Sequence, residues 1–174
     1  MTQLGKRPRE MVINIEMGWS THMPVLIKLA SLTTGPIMEV GSGIYSTPIL
    51  HWLCDETKRP LVSYENDQDF IKLAREYESE NHQVRFIDDY LKIPNTDFYS
   101  IILIDHSGHA RGKTAVHFKN SADYIVIHDS NAVRKNMYQI AFPEFKYRKD
   151  YDRYIPWTTV LSNTKDLANL YSLR

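Results

Sequence analysis

Five short runs of β-branched and other apolar residues alternate with helical patterns, and this alternation constrains the fold more than any other feature. Strands that alternate with helices are typical of a parallel sheet covered by helices. We interpret five segments as parallel strands: 37–40, 61–64, 84–87, 100–104 and 124–127. The sequence therefore predicts an α/β protein with a doubly wound, mostly parallel sheet.

Helical spacing of apolar residues predicts the segments that connect these strands. A first helix is predicted from Pro24 to Leu32, and a second begins with Thr47 as its N-cap and Pro48 at its first helical position. Further helices are predicted around 70–77, over 111–120 and over 165–173. Two later β runs, 145–151 and 157–162, are predicted to pair antiparallel.

Composition narrows the class of protein. With 174 residues, equal numbers of acidic and basic side chains and one cysteine, the chain reads as one domain, 1–174, without an internal disulfide. A net charge of zero predicts no broad attraction for nucleic acid or anionic membranes. No apolar run reaches the ~20 residues of a membrane span. We expect a soluble cytoplasmic protein, with residues 1–23 as an N-terminal extension or a lid over the ligand.

Acidic or glycine-rich sequence follows every predicted parallel strand. In open α/β sheets, ligands bind in the crevice outside the carboxyl ends of the strands. The residues expected to gather along this edge are Gly41, Glu65, Asp88, Asp105 and Asp129. The sequence therefore predicts one ligand site built from the strand ends.

The first strand runs into Gly41-Ser42-Gly43, a turn in which a ligand can approach the backbone closely. The dinucleotide fingerprint places a third glycine at position 46, where this chain has serine. Glu65 follows the first glycine by 24 residues, where a carboxylate can accept hydrogen bonds from both ribose hydroxyls. The pair favours a nucleoside ligand, although an ordinary strand-to-helix turn and a solvated acid remain alternatives.

The series of motifs resembles that of class I S-adenosylmethionine-dependent methyltransferases. It consists of Glu39-Val40-Gly41-Ser42-Gly43 with Ser46-Thr47, then Tyr64-Glu65, Asp88-Asp89 and Ile104-Asp105. The resemblance implies a Rossmann-like, seven-stranded sheet that ends in an antiparallel hairpin. It implies S-adenosylmethionine as cofactor, with the methionine part near Gly41, the ribose at Glu65 and the adenine edge at Asp88 or Asp89. The full set of cofactor residues that it implies is Glu39, Gly41, Ser42, Gly43, Thr47, Glu65, Asn66, Asp88, Asp89, Asp105 and His106.

A narrower resemblance concerns the segments after the fourth and fifth strands. Ile104-Asp105-His106-Ser107-Gly108-His109 and Ile127-His128-Asp129 are similar to those of small-molecule and sugar O-methyltransferases. Several members of that branch bind Mg²⁺ through such acids. The signature of amino-group methyltransferases is absent after the fourth strand.

Methyl transfer to a hydroxyl needs alignment of the reacting atoms and removal of one proton. His106 and His109 are our candidate bases, with Asp105 beside the sulfonium; His128 lies at the neighbouring strand end. Asp105, Asp129 and Asn131 could instead hold Mg²⁺, which prefers oxygen ligands. The alternative is that Asp105 faces the donor while Asp129 caps a turn without a metal.

The function predicted from the sequence is O-methylation of a small hydroxylated acceptor such as a sugar. An NAD-dependent oxidoreductase or nucleotide-binding module is the first alternative, because it shares the Gly-x-Gly turn and the acid after the second strand. A non-catalytic methyltransferase-like subunit is the second. Trp19 and His22, which precede the first helix, are candidates for the lid.

Overall fold

One seven-stranded sheet forms the centre of the molecule. The computed structural model describes residues 17–107, 109–132 and 137–172. Its strands are β1 Ile37–Val40, β2 Leu61–Glu65, β3 His82–Phe86, β4 Tyr99–Ile104, β5 Ala122–His128, β6 Tyr147–Tyr151 and β7 Thr158–Ser162. Their order in the sheet is β3-β2-β1-β4-β5-β7-β6. The first five pair in parallel, whereas β7 runs antiparallel to both β5 and β6, which confirms the predicted sheet and its C-terminal hairpin.

Four α-helices connect or cover these strands: α1 Met23–Leu32, α2 Ser46–Thr57, α3 Gln68–Arg75 and α4 Arg111–His117. Short 3-10 turns occupy Met17–Ser20, Tyr90–Lys92, Tyr138–Ile140 and Phe142–Glu144. The prediction of a helix over 165–173 is wrong for the described residues 165–172, which form bends and turns. The N-terminal residues 1–16 of the predicted extension lie outside the described residues.

The two faces of the sheet carry separate apolar cores, because successive side chains of a strand point to opposite faces. From β1, Ile37 packs with residues of α1 and α2, whereas Met38 and Val40 pack with Ala115 of α4. Every residue of β1 is buried, as expected for a central strand covered on both sides. This layering is the doubly wound arrangement that the sequence predicts.

The start of α2 differs from the prediction. Thr47 is not its N-cap: the helix begins at Ser46, with Tyr45 in the capping position and no capping side chain. The Thr47 hydroxyl donates instead to the buried carboxylate of Glu39, at 3.0 and 3.1 Å from its two oxygens. A tertiary contact has therefore taken the hydroxyl that the local capping pattern assigned to the helix.

Strand order reverses between β1 and β4, which are neighbours although two strands separate them in the chain. At such a switch point the connections leave in opposite directions and open a crevice at the carboxyl ends of the strands. The candidate site lies there. No helix in the described part of the chain is long and apolar enough to cross a bilayer.

Candidate functional site

A cavity of about 390 Å³ opens at the carboxyl ends of β1, β2, β4 and β5. Its walls come from the turn after β1, the ends of the other strands and the segment before α1. The lining residues are Trp19, His22, Ser42, Gly43, Ile44, Tyr45, Ser46, Glu65, Asp67, Phe70, Asp105, His106, Ser107, Arg111, His128 and Asp129. Of the set predicted to gather at the strand ends, Glu65, Asp105 and Asp129 line this cavity, together with Ser42, Gly43 and His106, whereas Gly41 and Asp88 do not.

Gly41 allows the chain to turn from β1 into the cavity wall. Its φ of 93° lies in the region that favours glycine, and a Cβ there would lie 2.3 Å from the backbone N and Cα of His106. The Gly41 amide donates to the carbonyl of Tyr64 at 2.8 Å. The end of β1 is therefore fixed between β2 and the segment that follows β4.

Glu39 and Thr47, which the resemblance assigned to the cofactor, lie beneath the glycine turn and do not line this cavity. Glu39 is fully buried and accepts hydrogen bonds from Thr47 and from Ser63, the latter at 2.5 Å. Thr47 in turn accepts from the Gly43 amide at 2.9 Å. Glu39 therefore acts on the turn through Thr47, as a positioning residue.

Burial raises the pKa of Glu39 to about 7, against the opposing hydrogen bonds from Ser46, Ser63 and Thr47. Because the unfolded chain loses this proton near pH 4.5, the group's contribution to stability is complete below that pH. The contribution is lost as pH rises to about 7. We expect the free energy of unfolding of Glu39→Gln, relative to wild type, to rise by about 3 kcal/mol between pH 4 and 8.

Denaturant unfolding of both proteins at each pH measures this difference. Buried histidines titrate in the same range, but they are present in both proteins and cancel. Glu56→Gln, at an exposed position of α2, is the control and should give a difference that does not change with pH. A pH-independent difference for Glu39→Gln would show that folding does not change the pKa of Glu39.

Glu65 ends β2 and is 4% exposed. Its Oε2 accepts from the amide and hydroxyl of Ser42, at 2.7 and 2.9 Å. Its Oε1 accepts from the amides of Asn66 and Asp67, both at 2.8 Å. A carboxylate offers about four lone-pair sites, so a ligand hydroxyl reaches Glu65 by replacing the Ser42 hydroxyl.

Four other predicted cofactor residues lie outside the cavity lining: Gly41, Asn66, Asp88 and Asp89. Asn66 accepts a hydrogen bond from the Tyr90 hydroxyl at 3.0 Å. Asp88 is exposed and pairs with Lys92 at 2.7 Å, and Asp89 caps the turn Tyr90–Lys92 through the Leu91 amide at 3.0 Å. The structure therefore gives the two acids after β3 local partners and does not join them to the cavity.

Asp105 and Asp129 share one guanidinium. Nη1 of Arg111 lies 2.9 Å from Asp105 and 2.8 Å from Asp129, and the Arg111 side chain also donates to the carbonyls of His106 and His128. Burial would raise the pKa of Asp105, but the charges of Arg111 and His128 outweigh it and hold the value at about 2. Asp105 is therefore ionised at neutral pH, and its side chain is 19% exposed.

This arrangement does not favour the predicted Mg²⁺ site. The guanidinium of Arg111 occupies the position between Asp105 and Asp129 where a cation would bind. Asn131 accepts a hydrogen bond from the Trp157 amide at 3.1 Å and does not line the cavity. The oxygen ligands predicted from the sequence therefore do not form a common cage.

Neither predicted base is placed for proton removal. His106 is 2% exposed, stacks on Tyr90 at 4.3 Å, and has both ring nitrogens in hydrogen bonds, to Ser107 and Thr114. Burial lowers its pKa to about 4. His109 is exposed and is not part of the cavity lining. His106 therefore forms part of the cavity wall.

Two residues before α1 belong to the cavity lining, and both come from the segment for which a lid remains a prediction. They are Trp19 and His22. The Thr21 hydroxyl donates to the carbonyl of Pro156 at 2.7 Å and lies 2.9 Å from Nε2 of His128. The segment is thereby joined to β5 and to the connection before β7.

Sequence reasoning missed Arg111, and it set His128 aside in favour of His106 and His109. The only sequence signal for Arg111 is its position. It follows Asp105, the acid at the end of β4, by six residues and begins the next helix. His128 carries a clearer one, because it ends a buried strand beside the strand of Asp105. Although burial opposes it, the charge of Asp105 raises the pKa of His128.

No protein-family model and no curated protein matches the chain. Solved structures do share its fold. A protein from Staphylococcus aureus, provisionally assigned as a caffeoyl-CoA O-methyltransferase, matches with a TM-score of 0.61 at 14% identity, over 86% of this chain and 84% of its own. An O-methyltransferase from Klebsiella pneumoniae, also provisionally assigned, matches with a TM-score of 0.59 at 15% identity, over 90% and 84%.

Spermidine synthase from Thermotoga maritima matches with a TM-score of 0.62 at 11% identity, over 82% of this chain but 58% of its own length. At such low identity these likenesses concern the fold alone. The chain has the Rossmann-like fold of class I S-adenosylmethionine-dependent methyltransferases, with its mostly parallel seven-stranded sheet.

Proposed function

We propose that the chain is an S-adenosylmethionine-dependent methyltransferase that methylates a hydroxyl group of a small acceptor such as a sugar. The observation that carries the proposal is the single cavity in which the glycine turn, Glu65 and Asp105 meet. The O-methyltransferase names of two structural neighbours support the choice of a hydroxyl acceptor. A cavity of about 390 Å³ has the size of small-molecule sites, which supports a small acceptor.

The donor end of the cavity fits an adenosyl ligand. Ser42 and Gly43 of the glycine turn line the cavity, and the carboxylate of Glu65 is fixed by three backbone amides. The Ser42 hydroxyl stands where a ribose hydroxyl would donate and can rotate away from it. S-adenosylmethionine supplies an activated methyl group, so the protein's task is to bind and align the reactants.

The acceptor end contains charged groups that orient a hydroxyl. Arg111 holds Asp105 and Asp129 at the ends of β4 and β5, and both carboxylates line the cavity. An ionised carboxylate accepts a strong hydrogen bond from a hydroxyl and directs its lone pair towards the donor end. Trp19 also lines the cavity.

Calorimetry with S-adenosylhomocysteine tests the proposal. We expect saturable binding by wild type and an affinity about 100-fold lower for Glu65→Ala, because a buried charge-assisted hydrogen bond is lost. Glu56→Ala is the matched control, since that acid is exposed on α2, and should bind as wild type does. Circular dichroism establishes whether Glu65→Ala is folded.

The NAD-dependent alternative is separated by thermal shifts measured with NAD and with S-adenosylhomocysteine. Stabilisation by NAD alone would reject the methyltransferase proposal. Tight binding of S-adenosylhomocysteine without methyl transfer to any hydroxylated acceptor would instead favour the non-catalytic subunit. Unchanged affinity in folded Glu65→Ala would reject the ribose assignment.

A further inference from the structure

We propose that His22, Asp105 and His128 bind a divalent transition-metal ion, of the Zn²⁺ class, at the base of the cavity. One ligand atom from each residue lies within 4.8 Å of the other two. His22 and His128 are buried, and all three residues line the cavity. The site is distinct from the oxygen-only Mg²⁺ site that the sequence predicted, since it shares only Asp105 with it.

His22 gives the first independent indication. Its side chain is 2% exposed, and neither ring nitrogen has a hydrogen-bond partner among the described residues. Buried polar atoms without a partner are rare and costly, which marks the two nitrogens of His22 as candidate ligand atoms. Burial also lowers the pKa of His22 to about 4, which leaves the ring neutral and able to bind a metal.

His128 gives the second indication, because its hydrogen-bond partners show which ring nitrogen carries a hydrogen atom. The Thr21 hydroxyl has one hydrogen, which it donates to the Pro156 carbonyl at 2.7 Å. Nε2 of His128, 2.9 Å from the same hydroxyl, must then be the donor of that contact. The other nitrogen, Nδ1, points at Asp105, 3.1 and 3.2 Å from its two oxygens, so either a proton or a metal ion lies between them.

A proton on Nδ1 would satisfy His128 but would leave His22 without a partner. A metal ion would bind one nitrogen of each ring, so that one of the two unpartnered nitrogens of His22 would gain a partner. Ligand atoms about 2.0–2.1 Å from a tetrahedral Zn²⁺ are about 3.4 Å from one another. Oδ2 of Asp105 lies 3.2 Å from Nδ1 of His128 and 3.9 Å from Nδ1 of His22, and the three ligand atoms lie within 4.8 Å of one another, so the side chains must move closer together to reach that geometry.

The surroundings also fit a metal site. A histidine that binds a metal commonly donates a hydrogen bond from its other ring N–H to an oxygen, as His128 does to the Thr21 hydroxyl. A carboxylate that binds a metal is commonly hydrogen-bonded as well, as Asp105 is to Arg111. Two imidazoles and one carboxylate suit Zn²⁺, Fe²⁺ or Co²⁺ better than Mg²⁺. Three protein ligands leave a fourth position, which here faces the cavity.

The role of this ion, unlike its binding, rests on the proposed function. A hydroxyl bound at the open position of Zn²⁺ has a lowered pKa and loses its proton more readily. This would supply the activation that His106 and His109 are not placed to give. The acceptor would then bind between the metal and the donor end of the cavity.

Metal content is the direct test. Protein stripped with a chelator is incubated with Zn²⁺, Co²⁺ or Mg²⁺, desalted and analysed for bound metal, and Co²⁺ is followed by its visible absorption. We expect one Zn²⁺ or Co²⁺ per chain and no retained Mg²⁺. The melting temperature should rise by about 5–10 °C at Zn²⁺ concentrations 100 times the Kd.

Variants locate the site. His22→Phe keeps an aromatic ring but removes both nitrogens. We expect its Zn²⁺ affinity to fall at least about 100-fold, because loss of a residue that only hydrogen-bonds to a metal ligand already lowers metal affinity by about 10–100-fold. His128→Gln should behave similarly, which keeps the test decisive if one variant does not fold. His117→Phe is the control, because His117 bonds to the Ile93 carbonyl outside the cavity, and it should bind as wild type does.

Absence of retained Zn²⁺ and Co²⁺ in folded wild type would overturn the proposal, as would unchanged binding in His22→Phe. In that case Nδ1 of His128 carries a proton. S-adenosylhomocysteine calorimetry on the same samples keeps the two proposals separate. Metal without S-adenosylhomocysteine binding would reject the methyltransferase function alone, and the reverse result would reject the metal site alone.

Discussion

Gly41→Ala is expected to destabilise the protein by at least about 3 kcal/mol, which lowers the melting temperature by roughly 10 °C. The alanine would have to adopt a φ of 93°, and its Cβ would lie 2.3 Å from two backbone atoms of His106. Backbone cannot move aside as a flexible side chain can. Either β1 or the segment after β4 must shift, and the shift would also deform the cavity.

Thermal and denaturant unfolding measure the effect, and Gly43→Ala is the matched control in the same turn. A Cβ at Gly43 meets only the Ser46 hydroxyl at 3.2 Å, and its backbone carries no positive φ. We expect that variant to lose less than about 1 kcal/mol. Equal stabilities for the two variants would show that the close approach at Gly41 is not required.

Arg111→Met is expected to cost about 3–5 kcal/mol, because removal of one partner leaves a buried charge without compensation. Arg111 is 8% exposed, and it joins Asp105, Asp129 and two strand-end carbonyls. Without it, Asp105 would be an ionised group in a buried setting. Its pKa should rise well above the value of about 2 that it has now.

A double variant separates the charge from the packing. In Arg111→Met/Asp105→Asn both charges are gone, so much of the lost stability should return. Denaturant unfolding of the four proteins gives the coupling energy between the two residues. A double variant as unstable as the sum of the single ones would mean that Arg111 acts through the backbone carbonyls and not through Asp105.

The sheet could be predicted from the sequence because its signals are local. Buried strands such as Tyr99–Ile104 are continuous apolar runs, and each is followed by a polar turn. Since parallel strands present their carboxyl ends at one edge, the prediction also placed Glu65 and Asp105 on one cavity. The antiparallel hairpin was predicted from the two β runs 145–151 and 157–162, and the resemblance to a family agrees with it.

Two kinds of feature could not be predicted from the sequence. One is contact between residues far apart in the chain, and the other is a side chain that makes a tertiary hydrogen bond instead of the expected local one. His22 and His128 are 106 positions apart, and no spacing rule relates them. Thr47 matches a capping pattern, yet a buried carboxylate binds its hydroxyl. His106 resembles a base in the sequence, but its hydrogen bonds and its stacking on Tyr90 appear only in the fold.

The hydrogen bonds of the Thr21 hydroxyl bear on the order in which the protein folds. The hydroxyl contacts His128 and Pro156, which are 107 and 135 positions further along the chain. Contacts of such long range form slowly, because a large loop must close before they provide any stabilisation. We therefore expect the pocket wall that depends on them to be assembled late, after the C-terminal strands have docked. Ligand binding during refolding would report the last step of folding, not the collapse of the sheet.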